Sequence, residues 1–182
     1  METIHLEKQG ETLSFTSPED EKTGRLVLEL KLAPGKAGPP PHIHTMSDEE
    51  FEVISGTFVI IIDGEESVLK PGDKGFVKAG QAHTFRNGSD SGPVVVKGYI
   101  EPALSFKWFI SEMAKSANEN GGSWDDVSIL QAGFILFMLR KEYRVSGIPY
   151  IMQDLIFGFL AALAKISGRA RKISPRPVIV KK

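Results

Sequence analysis

Residues 25–32, Arg-Leu-Val-Leu-Glu-Leu-Lys-Leu, put Leu26, Leu28, Leu30 and Leu32 on one face and Val27, Glu29 and Lys31 on the other. A period of two belongs to a strand with one buried face, because successive side chains of a strand point to opposite sides of its sheet. Short extended segments continue to about residue 103. Residues 12–16 alternate, residues 49–56 set positions 49, 51 and 53 on one face, and residues 57–62 are an apolar run whose two faces are both expected to be covered. Residues 66–69, 75–78, 82–87 and 93–101 complete the series, separated by turns such as Ser55-Gly56, Asp63-Gly64 and Pro71-Gly72-Asp73. Asp63-Gly64 is a two-residue hairpin signal of the type I′ kind. Many short strands with no helix between them indicate a sandwich or barrel.

From Leu104 the period changes. Helices are expected over 105–117, over 124–144 with Asp125 and Asp126 in the first turn, and over 150–167 after the break at Gly147-Ile148-Pro149. The chain therefore divides into a β-domain, residues 1–103, and a helical extension, residues 104–182, packed on the β-domain or at a dimer interface. The third helix is apolar almost all round, with an unbroken run over 155–164. A membrane crossing needs about 20 apolar residues. Burial against the sheet, against the apolar residues 134–139 or against a second subunit is the expectation. Contact with a membrane surface is the weaker alternative.

Charge divides at the same place. Residues 1–103 carry 10 Lys and Arg against 17 Asp and Glu, and residues 104–182 carry 12 against 6. Beyond Lys165 there are only basic groups, Arg169, Arg171, Lys172, Arg176, Lys181 and Lys182. This tail is expected to be solvated or paired with the acidic half, and nucleic acid is not an expected partner. There is no secretory signal pattern at the N-terminus, which makes a cytoplasmic location the expectation.

Three of the four histidines lie at His42, His44 and His83. Pro39, Pro40 and Pro41 precede the first two, and consecutive prolines impose an extended backbone. In an extended segment His42 and His44 point the same way and can grip one ion. Alternation selects Glu49 over Asp48 and Glu50 as the inward carboxylate, and places His83 on one face with Phe85 and Asn87. With no cysteine in the chain, nitrogen and oxygen must supply any metal ligands. His42, His44, Glu49 and His83 are the candidate ligand set for one divalent transition-metal ion, Fe, Mn, Ni, Cu or Zn. Phe51, Phe58, Ile60, Phe85 and Val96 face inward as barrel core or as the wall of an apolar pocket, with Met46 at its mouth. His5 is an ordinary surface histidine.

The pattern His42-x-His44-x4-Glu49-x6-Gly56, followed by Gly72-x7-Gly80-x2-His83-x3-Asn87, resembles the two motifs of the cupin superfamily. Lys78 stands where the family usually has proline, and the glycine expected six residues before the first histidine is absent, with Gly35 and Gly38 nearby. The resemblance spans about residues 25–101. It implies a double-stranded β-helix, or jelly-roll, barrel, usually dimeric, with the same four ligands around an internal metal. The expected function is a metal-dependent oxygenase-type reaction on a small apolar or aromatic molecule, with Glu49 also the candidate base. The alternative is a non-catalytic module that binds or senses a small molecule.

Overall fold

The computed structural model describes residues 2–17, 20 and 23–177. Ten strands come first: β1 (Glu2–Leu6), β2 (Glu11–Phe15), β3 (Leu26–Leu32), β4 (His42–His44), β5 (Asp48–Ser55), β6 (Phe58–Ile62), β7 (Glu65–Leu69), β8 (Lys74–Val77), β9 (Ala82–Asn87) and β10 (Val94–Glu101). Then follow α1 (Phe106–Asn120), α2 (Ile129–Met138), a further strand β11 (Tyr143–Val145) and α3 (Tyr150–Ile166). The strands form two antiparallel sheets, in the orders β1-β2-β3-β10-β5-β8 and β11-β4-β9-β6-β7, as in a jelly roll. The inward faces carry the alternating apolar residues, including Leu26, Leu28, Leu30, Leu32, Phe51, Val53, Phe58 and Ile60.

Local chemistry accounts for the turns. Asp63 and Gly64 have φ of 51° and 88°, the positive values a type I′ turn requires, and Ile62 pairs with Glu65 across it. Gly56 has φ of +83°, and a Cβ there would lie 2.5 Å from the Pro93 carbonyl oxygen, so only glycine fits where β5 passes β10. Asn87 ties the loops below the site. Its amide donates to the carbonyls of Leu32, Ala33 and Gly92, and its oxygen accepts from the Ser89 N–H.

The C-terminal region differs from its expected form. Residues 124–144 are not one helix. Trp124–Asp126 is a 3₁₀ turn, α2 stops at Met138, and residues 143–145 return to the β-structure as β11. β11 pairs antiparallel with β4, Tyr143 opposite His44 and Val145 opposite His42. The exposed edge of β4 offers unpaired backbone groups, and a Tyr-Arg-Val segment has the aromatic and branched side chains that suit a strand. β1 was also outside the expected strands; it pairs with β2.

One further expectation is refined and another corrected. α3 is not buried all round: Gln153, Ala161 and Ala164 are buried, whereas Ile151, Leu155, Phe159 and Ile166 are exposed. The close side packs on α2, where a Cβ on Gly133 would meet Leu160 at 2.5 Å. The basic tail finds acids in its own half rather than in the acidic one. Lys172 pairs with Glu119 at 3.3 Å and Arg176 with Glu142. Lys181 and Lys182 lie outside the described residues. No helix among the described residues is long and apolar enough to cross a membrane.

Candidate metal centre

Both sheets contribute to the centre. β4 carries His42 and His44, β9 sets His83 directly opposite His42, and β5 of the other sheet brings Glu49 across the interior. The three imidazole centroids lie 4.4, 5.0 and 5.2 Å apart. One potential ligand atom from each of the four residues falls within 4.8 Å of every other. The centre thus unites all four residues selected from the sequence.

The hydrogen bonds orient the rings for an ion. His42 Nδ1 lies 3.1 Å from the Pro40 carbonyl oxygen and His83 Nδ1 3.2 Å from that of Gln81. An imidazole that donates from Nδ1 keeps the lone pair of Nε2 free, the usual support behind a metal ligand. His44 Nδ1 and His83 Nε2 are buried and have no hydrogen-bond partner. His83 Nε2 approaches Glu49 Oε2 to 2.8 Å without hydrogen-bond alignment, and His44 Nδ1 lies 3.9 Å from Glu49 Oε1. Burying polar atoms without partners is costly, and a shared cation relieves that cost.

At His42, His44 and Glu49 electrostatics set the protonation states that ligation needs, whereas His83 must give up a proton to an incoming ion. Burial, then repulsion from His44 and His83, lowers His42 to about 3. Burial also lowers His44, to about 4, although Glu49 opposes it. For Glu49, burial pushes upward but is outweighed by His44 and His83, which hold it at about 2. Burial pulls His83 down, and the adjacent Glu49 carboxylate overcomes that pull to leave it raised. Two neutral imidazoles, a carboxylate and a histidine poised against that carboxylate fit a divalent first-row ion.

A cavity of about 490 Å³ opens on this centre. Phe51 and Phe85 line it, together with Leu28, Leu30 and the ligands His42, His44 and Glu49. Phe58, Ile60 and Val96 are instead sealed in the core, and Met46 is about half exposed and away from the cavity wall. The opposite wall comes from the helical extension: Phe106, Phe109, Ile110 and Met113 of α1, Leu136 of α2 and Tyr143 of β11. The α1 residues recur at helical spacing, which signals an apolar face in the sequence but not what that face covers.

Glu11 is the second carboxyl group buried on the cavity wall, and Trp124 Nε1 donates to its Oε2 at 2.8 Å. Burial raises it to about 7, although the Trp124 hydrogen bond acts in the opposite direction. A carboxyl group whose folded value lies above its unfolded one stabilises the fold fully below about pH 4.5, and that contribution fades as pH rises through about 7. Glu11→Gln is therefore expected to remove roughly 3 kcal/mol of pH-dependent stability between pH 4.5 and 8. Urea unfolding of both proteins at several pH values measures it.

The family model described as "Cupin domain" matches residues 28–100. An uncharacterised protein of Aquifex aeolicus (strain VF5) is 36% identical over 55 residues, 30% of this chain and 46% of that one. The tetracenomycin polyketide synthase protein TcmJ of Streptomyces glaucescens is 32% identical over 79 residues, 43% of this chain and 52% of its own length. The chain spans about half the length of these curated relatives. Among solved structures, KdgF from Halomonas sp. superposes with a TM-score of 0.48 at 21% identity, covering 56% of this chain and 86% of that one.

Proposed function

Through residues 28–100 the chain belongs to the cupin superfamily, and from that premise we propose that it is a metal-dependent enzyme of the oxygenase type acting on a small apolar or aromatic molecule. The observation that carries the reading is the convergence of His42, His44, Glu49 and His83, the first three of which line a largely apolar cavity. An ion held there supplies a Lewis-acidic centre at which an organic oxygen and dioxygen can be brought together. The residues of the chain do the rest. Phe51, Phe85, Phe106 and Phe109 enclose the carbon skeleton and exclude water. Glu49, which would help to hold the ion, is also the carboxylate placed to accept the proton of a substrate hydroxyl or activated C–H. The relative named as a polyketide synthase protein is in keeping with a carbon-rich substrate.

Metal-loaded protein is expected to consume oxygen with members of a panel of phenols and diketones, and His42→Ala to abolish that uptake. Tight binding of panel members with no oxygen consumption would replace this reading by the non-catalytic one, a module that binds or senses a small molecule.

A second copy of the chain is the proposed macromolecular partner. Ile151, Met152, Leu155, Ile156, Phe159 and Ile166 form an exposed stripe running the length of α3. A monomer seldom exposes so extended an apolar surface. Because the stripe is apolar from end to end, an antiparallel copy of α3 meets it with the same residues, as a two-fold interface demands. Light scattering is expected to show a dimer for the wild type and a monomer for the Leu155→Glu, Phe159→Glu double variant. Vesicle flotation of the wild type alone would assign the stripe to a membrane surface.

A further inference from the structure

Tyr143 is the residue that the site, as described so far, leaves without a task. It comes from the helical region, yet β11 registers it opposite His44. Its ring stands edge-on to the His44 ring, with centroids 5.0 Å apart, and stacks on Phe109 at 4.4 Å and 18° between planes. The side chain is held on two sides, is buried and lines the cavity. Its hydroxyl oxygen has no hydrogen-bond partner.

A buried hydroxyl without a partner destabilises a fold relative to phenylalanine of the same shape. Structural tyrosines in cores satisfy their O–H group for that reason. Here the neighbouring polar groups are already committed elsewhere. Glu142 accepts from Ser105 and Arg176, and Arg144 donates to Asp154 at 2.7 Å. Among the described residues no group forms a hydrogen bond with the phenol.

We propose that Tyr143 is a specificity-determining residue: its hydroxyl donates a hydrogen bond to an oxygen atom of an apolar ligand seated against the metal centre. The inference rests on the reading of the cavity as an apolar-ligand site. It selects, within that class, molecules with a phenolic, enolic or carbonyl oxygen next to the ring or carbon that faces His44. A phenolic O–H is a hydrogen-bond donor at neutral pH. A hydrocarbon of equal size would leave the donor unpaired, and sites built around a hydrogen bond reject the analogue lacking it. The helical extension thereby decides which oxygenated molecules the β-domain accepts.

The test compares 2-naphthol with naphthalene as probes on metal-loaded full-length wild type and Tyr143→Phe, with binding read by quenching of tryptophan fluorescence. Thermal unfolding of the metal-free proteins is measured in parallel. Wild type is expected to prefer 2-naphthol by at least about tenfold, and Tyr143→Phe to lose that preference while binding naphthalene as before. The metal-free variant is expected to unfold at the same or a higher temperature than wild type. A Tyr143→Phe protein that keeps the full preference overturns the inference and leaves the apolar-ligand reading standing. So does a variant that melts several degrees lower, which would make the hydroxyl structural. Binding of neither probe by either protein overturns both.

Discussion

His42→Ala and His83→Ala proteins are expected to retain their fold but to lose the stoichiometric transition metal that wild type carries when loaded. Each variant removes one of four donors that lie within 4.8 Å of one another. Removing a group that only orients a ligand costs metal affinity about 10-fold to 100-fold, and removing the ligand itself should exceed that. Elemental analysis after dialysis against a chelator measures the loss directly. A second readout needs no activity. An ion that binds only the folded state stabilises it by about 2.7 kcal/mol at a concentration 100 times its dissociation constant. Wild type should therefore show a metal-dependent rise in melting temperature that both histidine variants lack. Equal metal content and equal thermal shifts in all three proteins would show that the four residues do not hold the ion. Glu49→Gln keeps the shape of the side chain and abolishes its charge. Its turnover is expected to fall at least about 100-fold, because the base is lost along with the anionic ligand.

Gln153→Leu is expected to be the most destabilising single substitution in the helical region, at about 3 kcal/mol. Gln153 is fully buried in α3, and its amide clamps the end of β11. Its oxygen accepts from the Val145 N–H at 3.0 Å, and its nitrogen donates to the carbonyls of Val145 at 2.9 Å and Ile148 at 2.7 Å. Leucine fills a similar volume but leaves those backbone groups unpaired, at about 1–3 kcal/mol for each buried group that water cannot reach. For a chain of this length the melting temperature should drop by roughly 10 °C. The effect should also reach the cavity, because β11 carries Tyr143 and flanks β4 on the side away from β9. Wild-type-like melting in Gln153→Leu would mean that β11 is held by its pairing with β4 alone.

Much of the candidate centre was legible from residue order. Alternation through Glu49, Phe51 and Val53 identified the inward carboxylate, and the same logic set His83 beside Phe85 and Asn87. A strand's period of two is a local property, and a one-residue slip would turn each of these side chains to the wrong face. The Asp63-Gly64 turn was legible for a similar reason, since its positive φ values are written into two adjacent residues. The extents of β5, β9 and β10 follow from the same patterns, within a residue or so at their ends.

Long-range pairing was not legible. Leu139, Arg140, Lys141 and Glu142 are good helix formers, so in the sequence read alone the rhythm of α2 runs on through Arg144. What overrides it is an open strand edge at His42–His44, about a hundred residues earlier, whose backbone groups Tyr143–Val145 can pair. The destination of the apolar faces was equally hidden. Hydrophobic spacing shows that a helix has a side to cover, but burial is non-directional and does not name the partner. By itself, then, the sequence determined the β-character of residues 26–101, the turn chemistry and the four residues that could meet an ion. The tertiary structure alone decided that α1 and α2 wall the cavity, that Phe58, Ile60 and Val96 are core while Phe51 and Phe85 face the site, and that Tyr143 stands beside His44. Those relations depend on contacts between segments far apart in the chain, and such contacts exist only once the two sheets and the helices have closed on one another.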